Sequence, residues 1–110
     1  MTEFQERVFK AVERIPKGYV APYSEVARAA GSPRAARAIG NILHHNPFFG
    51  FVPCHRVVHA DGALAPAFAF GGANAQREML EQEGVTFTSD GRVDMQKHSC
   101  VIGEEKYAEK

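Results

Sequence analysis

Three sets of helix breakers cut the first half of the 110-residue chain into short pieces: Pro16-Lys17-Gly18, Gly31-Ser32-Pro33 and Asn46-Pro47. Proline lacks the donor that an α-helix needs and glycine closes helices readily, so only short helices fit between them. Thr2 opens the first, and Gln5 three residues on completes a capping-box pattern. Phe4, Val8, Val12 and Ile15 recur at spacings of four and three, which predicts one buried helical face. Tyr19-Val20 reads as a short extended piece. Pro22 suits the start of a second helix over Tyr23 to Ala30, closed by Gly31. Ser32 then caps a third, with Pro33 in its first turn and Ala35, Ala36, Ala38, Ile39, Ile42 and Leu43 sustaining it. Two short helices across Gly31-Ser32 have the layout of a helix-turn-helix. A plain helical hairpin packing a core fits the spacing equally well, and geometry alone leaves both open.

The second half begins with an apolar stretch, Phe48 to Val58, that runs through Pro53-Cys54-His55-Arg56-Val57-Val58. A thiol becomes a good nucleophile only as thiolate, and a nearby base or cation favours that form. If Phe51 to Val58 is a strand, Cys54 and His55 face opposite sides, so His55 would reach the sulfur through a bridging water. A buried cysteine on its own is more often a small core residue. His59-Ala60-Asp61-Gly62 reads as a turn and Ala63 to Phe70 as a loop. Gly71-Gly72 precedes a helix over Ala73 to Gln82, with Ala75, Met79 and Leu80 inward and Gly84 as its cap. Val85-Thr88 and Arg92-Met95 flank Ser89-Asp90-Gly91 as a hairpin. Residues 99–110 are expected to be a flexible tail after a single domain over 1–98.

Charge and cysteines narrow the function classes. The net charge is zero, which argues against a generally basic nucleic-acid binder. It is unevenly spread, however. Arg28, Arg34, Arg37 and Arg56 face only Glu25 between residues 24 and 59, whereas residues 78–110 are acidic. Cys54 and Cys100 are the two cysteines, and no paired spacing suggests a metal site. No apolar run approaches the ~20 residues that span a bilayer. Met1-Thr2-Glu3-Phe4 does not open a signal peptide, so a cytoplasmic protein is expected.

The segments Pro33-Arg34-Ala35-Ala36-Arg37-Ala38-Ile39-Gly40, Asn46-Pro47, Pro53-Cys54-His55-Arg56-Val57, Gly71-Gly72 and Glu83-Gly84 together resemble the C-terminal domain of the methylated-DNA–protein-cysteine methyltransferases, the O6-alkylguanine-DNA alkyltransferases. The likeness runs from about Phe4 to Gly84, with the motifs in the family's order. It implies a small α-rich α/β domain of winged helix-turn-helix type that binds duplex DNA and needs no cofactor. It also implies that an O6-alkylated guanine is flipped out and its alkyl group moved irreversibly to Cys54.

The resemblance assigns further roles. His55 matches the base that acts through water, and Glu83 the carboxylate that orients it. Arg37 matches the arginine that fills the gap left by the flipped base. Tyr23 matches the tyrosine that presses on the 3′ phosphate and supplies a proton to the departing base. Asn46 shapes the turn beside the site, and the Val57 carbonyl meets the guanine amino group. Ser32 and Arg34 are placed to donate to phosphates from the helix start.

There are departures. The loop from Gly62 to Gly71 is about two residues longer than usual, and Phe70 or Ala69 replaces a serine that donates to guanine O6. The family's usual lysine in the next helix is Gln76. A second domain usually precedes this one and is not expected here. The short length and Gly91-Arg92-Val93-Asp94 look more like the alkyltransferase-like proteins. Those bind O6-alkylguanine without repairing it, recruit excision-repair proteins, and often have Trp for the acceptor cysteine. The favoured reading is a monomeric suicide transferase acting on duplex DNA. The alternative is a non-enzymatic lesion-binding protein, and the third is a DNA-binding regulator that uses only the helix-turn-helix.

Overall fold

The computed structural model describes residues 1–47, 51–65 and 71–104. Helix α1 (Glu3–Glu13) opens on the expected capping box. The Thr2 hydroxyl accepts from the Gln5 N–H at 3.1 Å, and Gln5 Oε1 accepts from the Thr2 N–H at 3.0 Å. Val8, Val12 and Ile15 are fully buried, with Phe4 packed beside them.

Helices α2 (Tyr23–Ala29) and α3 (Ala36–His44) pack on each other and on α1. Between them lie Val26, Ala27, Ala30, Ile39 and Leu43. This is the expected helix-turn-helix pair, but α3 starts later than expected. The Ser32 N–H is already committed to closing α2, donating to the Ala27 carbonyl at 2.9 Å. The Ser32 carbonyl then accepts from the Ala35 N–H at 2.9 Å, which makes a separate turn. So Ser32 does not cap α3, and Pro33 and Arg34 sit in the turn before it; the cap position is Ala35, with no side-chain hydrogen bond.

The sheet is small and parallel. Strand β1 (Ala21–Pro22) pairs with β2 (Val57–Val58), Ala21 opposite Val57 and Pro22 opposite Val58. The expected strand over Phe51 to Val58 is therefore confined to its last two residues. Cys54–Arg56 instead forms a single 3-10 turn, called the thiol turn below. Pro53 cannot donate to a ladder, and its carbonyl accepts from the Arg56 N–H at 2.9 Å, which curls the chain. The alternating-face reading of Cys54 and His55 fails with it.

Helix α4 (Gly72–Gln82) follows, ending at Glu83. Gly84 has a φ of +88° and lets the Val85 N–H reach back to the Leu80 carbonyl at 3.0 Å. The hairpin forms as expected around a Phe87–Val93 bridge. Met95, however, belongs to a short helix, α5 (Met95–His98), that the sequence reading did not anticipate. Val20, Val58, Leu80, Val85 and Val93 make a second apolar cluster beneath the hairpin.

The first part of the supposed tail is anchored. The Cys100 N–H donates to the Val20 carbonyl at 3.0 Å, and the Ile102 N–H to Glu25 Oε2 at 2.8 Å. Arg28 grips Glu25 through two contacts and donates to the Ile102 carbonyl at 3.2 Å. Cys100 and Ile102 are buried. Residues 105–110 lie outside the described residues, as do 66–70, including Phe70 and most of the altered loop. Among the described residues no helix is long and apolar enough to cross a membrane.

Among the described residues Gly62 is the tightest glycine. Its φ is +87°, and a Cβ there would lie 2.5 Å from the Val93 carbonyl oxygen. Gly62→Ala is expected to destabilise the protein by at least about 1–3 kcal/mol, the scale of a strained left-handed residue. Urea unfolding reads this directly, and a loss under about 0.5 kcal/mol, as for an ordinary surface change, would contradict it.

Candidate active site

The thiol turn presents Cys54 from its first position, where the residue is buried at 5% exposure. Burial pushes the Cys54 thiol above its ordinary range; the Asn46 side chain and the N–H groups of Cys54 and His55 pull the other way. A turn's leading N–H groups favour a negative sulfur for the same reason that helix N-termini favour anions. Asn46, buried at the end of the segment after α3, also donates from Nδ2 to the Val52 carbonyl at 3.3 Å. It therefore ties the approach to the turn as well as the sulfur.

His55 is equally buried, and its Nε2 lies 3.1 Å from Glu83 Oε2. The contact is one of proximity: among the described residues Nε2 has no well-aligned hydrogen-bond partner. Burial lowers the His55 pKa, Glu83 opposes that, and Arg56 adds to the lowering, so the ring is neutral at physiological pH. A neutral imidazole whose Nε2 faces a carboxylate carries its proton there and leaves Nδ1 free to accept one. A cavity of about 230 Å³ reaches His55 and Glu83 past Phe51 and Met79. It is large enough to hold water.

Glu83 is held by Arg56, a residue whose role here the sequence alone does not reveal. Arg56 Nε donates to Oε1 at 3.0 Å and Nη2 to Oε2 at 2.7 Å, while Nη1 donates to the Ile15 carbonyl at 2.7 Å. What the sequence does signal is a need for a partner: a lone arginine inside an apolar run, Phe51 to Val58, must find one when it folds inward. Burial alone would raise the Glu83 pKa, but Arg56 and then His55 outweigh it and hold the carboxyl below its ordinary range.

Tyr23 begins α2, close enough to Cys54 to feel its charge. Burial and then the neighbouring Cys54 raise its pKa, so it keeps its proton. Its ring packs at 5.2 Å, tilted by 52°, against that of His59, an exposed residue that sequence reading passed over. Val57 is buried on β2, and its carbonyl accepts from Gln76 Nε2 at 3.0 Å.

The basic stretch resolves into two kinds of arginine. Arg28 and Arg56 are internally paired. Arg34 and Arg37 are exposed, in the turn before α3 and on α3 itself, and have no ion-pair partner among the described residues. Cys100 is remote in role. Burial and then Glu25 push its thiol up to about 11, which keeps it protonated. Among the described residues no three His, Cys, Asp or Glu side chains are grouped to hold a metal ion.

Comparison with known proteins covers the same ground. Residues 3–85 match the family described as 6-O-methylguanine DNA methyltransferase, DNA binding domain. A DNA base-flipping protein of Escherichia coli is 40% identical over 95 residues, 86% of this chain and 72% of that protein. A methylated-DNA–protein-cysteine methyltransferase of Mycobacterium bovis is 48% identical over 82 residues, 74% of this chain. This chain spans about half of that methyltransferase, 48% of its length. The structure of S. pombe Atl1, in complex with damaged DNA containing O6-carboxymethylguanine, superposes with a TM-score of 0.72 at 34% identity. That match covers 100% of this chain and 97% of Atl1.

A glutamate depressed by folding contributes stability above its unfolded pKa of about 4.3 and loses that contribution as pH falls below it. The urea midpoint of the wild type is therefore expected to drop between about pH 5 and 3 more steeply than that of Glu83→Gln. Parallel curves would show that the Arg56–Glu83–His55 contacts do not hold the carboxyl down.

Proposed function

The chain belongs to the 6-O-methylguanine DNA methyltransferase family, and from that premise we propose that it repairs O6-alkylguanine in duplex DNA by moving the alkyl group to Cys54. One observation carries the reading: His55 stands next to Cys54 in the thiol turn, with Nε2 3.1 Å from a carboxylate that Arg56 fixes by two hydrogen bonds. A cysteine that only filled the core would not require an oriented base beside it.

The steps balance without a cofactor. His55 takes the thiol proton through a bridging water. The sulfur then attacks the alkyl carbon, forming the S–C bond as the C–O6 bond breaks. The guanine leaves with that electron pair and takes a proton from the Tyr23 hydroxyl, which its raised pKa keeps protonated; the proton taken up by His55 then passes through solvent to Tyr23, so both groups end neutral. The thioether is not turned over, so each molecule acts once. Extrusion of the base costs a few kcal/mol. Arg37, exposed on α3 with a planar guanidinium, fills the vacated stack. Arg34 meets phosphate from the turn before that helix. Asn46 and Val57 shape the pocket beside Cys54. In this reading the partner is duplex DNA and the working unit a monomer.

A second reading has a specific observation in its favour. The match to Atl1 spans the whole chain, and the base-flipping relative is named for extrusion of a base, not for transfer. In that reading Cys54 lines a pocket that grips the lesion for excision-repair proteins to find.

Incubation with a duplex containing O6-methylguanine, followed by intact-mass measurement, separates the two. Transfer predicts a gain of one methylene unit that Cys54→Ser abolishes. Tight lesion binding with no gain in mass supports the second reading and rules out the first. Arg37→Ala is expected to weaken lesion binding about tenfold, on the scale of one lost stacking contact. It should leave the reaction of Cys54 with iodoacetamide unchanged. Wild-type lesion binding by that variant would remove Arg37 from the interface.

A further inference from the structure

We propose that Gln76 is a positioning residue for Cys54, because its side-chain amide holds two carbonyls at the trailing end of the thiol turn that the turn's own hydrogen bonds do not reach. The proposal rests on Cys54 as the reacting group, and its test does not require DNA. Gln76 is fully buried on α4. Its Nε2 donates to the His55 carbonyl at 3.1 Å and to the Val57 carbonyl at 3.0 Å. Its Oε1 accepts from the Ala65 N–H at 2.9 Å. Both N–H bonds and the carbonyl of the amide are therefore engaged with backbone.

The partners explain why an amide is needed there. The thiol turn has its own hydrogen bonds from the Arg56 N–H to the Pro53 carbonyl at 2.9 Å and from the Val57 N–H to the Cys54 carbonyl. A single 3-10 turn is marginal by itself. The chain then leaves as β2, so no following turn supplies donors to the next carbonyls. Gln76 supplies them, from a different helix. The N–H groups that face the sulfur belong to Cys54 and His55, at the leading end of the same turn. Holding the His55 carbonyl fixes the peptide plane that follows His55, and the link through the His55 Cα then limits how the leading planes and the His55 ring can turn. The third bond, to Ala65, joins the turn to the start of the segment that leads to α4. Gln76 touches no reacting atom and acts only through the backbone.

Three variants separate this role from simple packing. The readout is the rate at which iodoacetamide modifies Cys54, located by peptide mapping and measured from pH 5.5 to 9, with circular dichroism to confirm folding. Gln76→Met keeps the volume and removes every polar contact; it should slow Cys54 about tenfold or more, the scale of a lost buried hydrogen bond or two. Gln76→Lys restores donors to the two carbonyls but not the acceptor for Ala65, and should recover most of the rate. Gln76→Glu sets a carboxylate against two carbonyls, so its rate relative to wild type should rise as pH falls and the carboxyl becomes a donor. A folded Gln76→Met that reacts like wild type would overturn the proposal. So would a Gln76→Lys no faster than Gln76→Met, or a pH-independent ratio for Gln76→Glu. Should Gln76→Met fail to fold, the Lys and Glu variants decide alone. Methyl transfer that fails in wild type while these thiol rates behave as stated would overturn the repair reading and leave the brace standing.

Discussion

The two-point grip of Arg56 on Glu83 is the contact on which the rest of the site depends. It joins three parts of the chain that are distant in sequence: the end of α1 through the Ile15 carbonyl, the thiol turn that carries Arg56, and the end of α4 at Glu83. Both side chains are about 85% buried, at 15% and 14% exposure. Withdrawing two charges from water is expensive, and a buried pair often adds little net stability. What the pair supplies is direction. A carboxylate free to rotate would not present one oxygen to His55. With both oxygens engaged by the guanidinium, Oε2 is left facing Nε2.

That geometry sets the resting chemistry. Burial raises the Cys54 thiol and lowers the His55 imidazole, so both groups start neutral. A site of this kind does not hold a standing thiolate exposed to oxidation or stray electrophiles. It holds a base in the correct form, ready to accept the proton when a substrate draws on the sulfur. The N–H groups of the turn and the Asn46 amide then stabilise the charge that develops. Tyr23, beside Cys54, is still protonated. Each ionisable group is thus in the state its role requires, and the cause in each case is burial modified by one or two named neighbours.

Much of the scaffold was legible because it is local. The Thr2–Gln5 capping box, the buried Val8–Val12–Ile15 face, the Gly84 cap and the hairpin at Ser89-Asp90-Gly91 each depend on residues a few positions apart. The adjacent Cys54-His55 pair and Glu83 were legible from the motifs they sit in. What escaped depends on distant partners. The thiol turn looked like a strand because a short apolar run has no period of its own. Ser32 looked like a cap for α3, but its carbonyl closes a separate turn onto the Ala35 N–H and the helix starts after that turn. Residues 99–102 looked loose because Val20, Glu25 and Arg28, which hold them, lie some 75 positions away. Gln76 stands where the family usually has lysine, and it sits four residues before Leu80 on the inward side of α4. A polar residue on a core face requires partners, and here they are backbone carbonyls that no sequence pattern reveals.

The account stands or falls on His55 being a neutral base turned by Glu83. Nitrogen-15 NMR of the imidazole, followed across pH, measures both properties at once. The structure predicts a ring protonated on Nε2 alone that charges only below the ordinary histidine value of about 6.5. A ring that charges near 6.5, or that carries its proton on Nδ1, would contradict it.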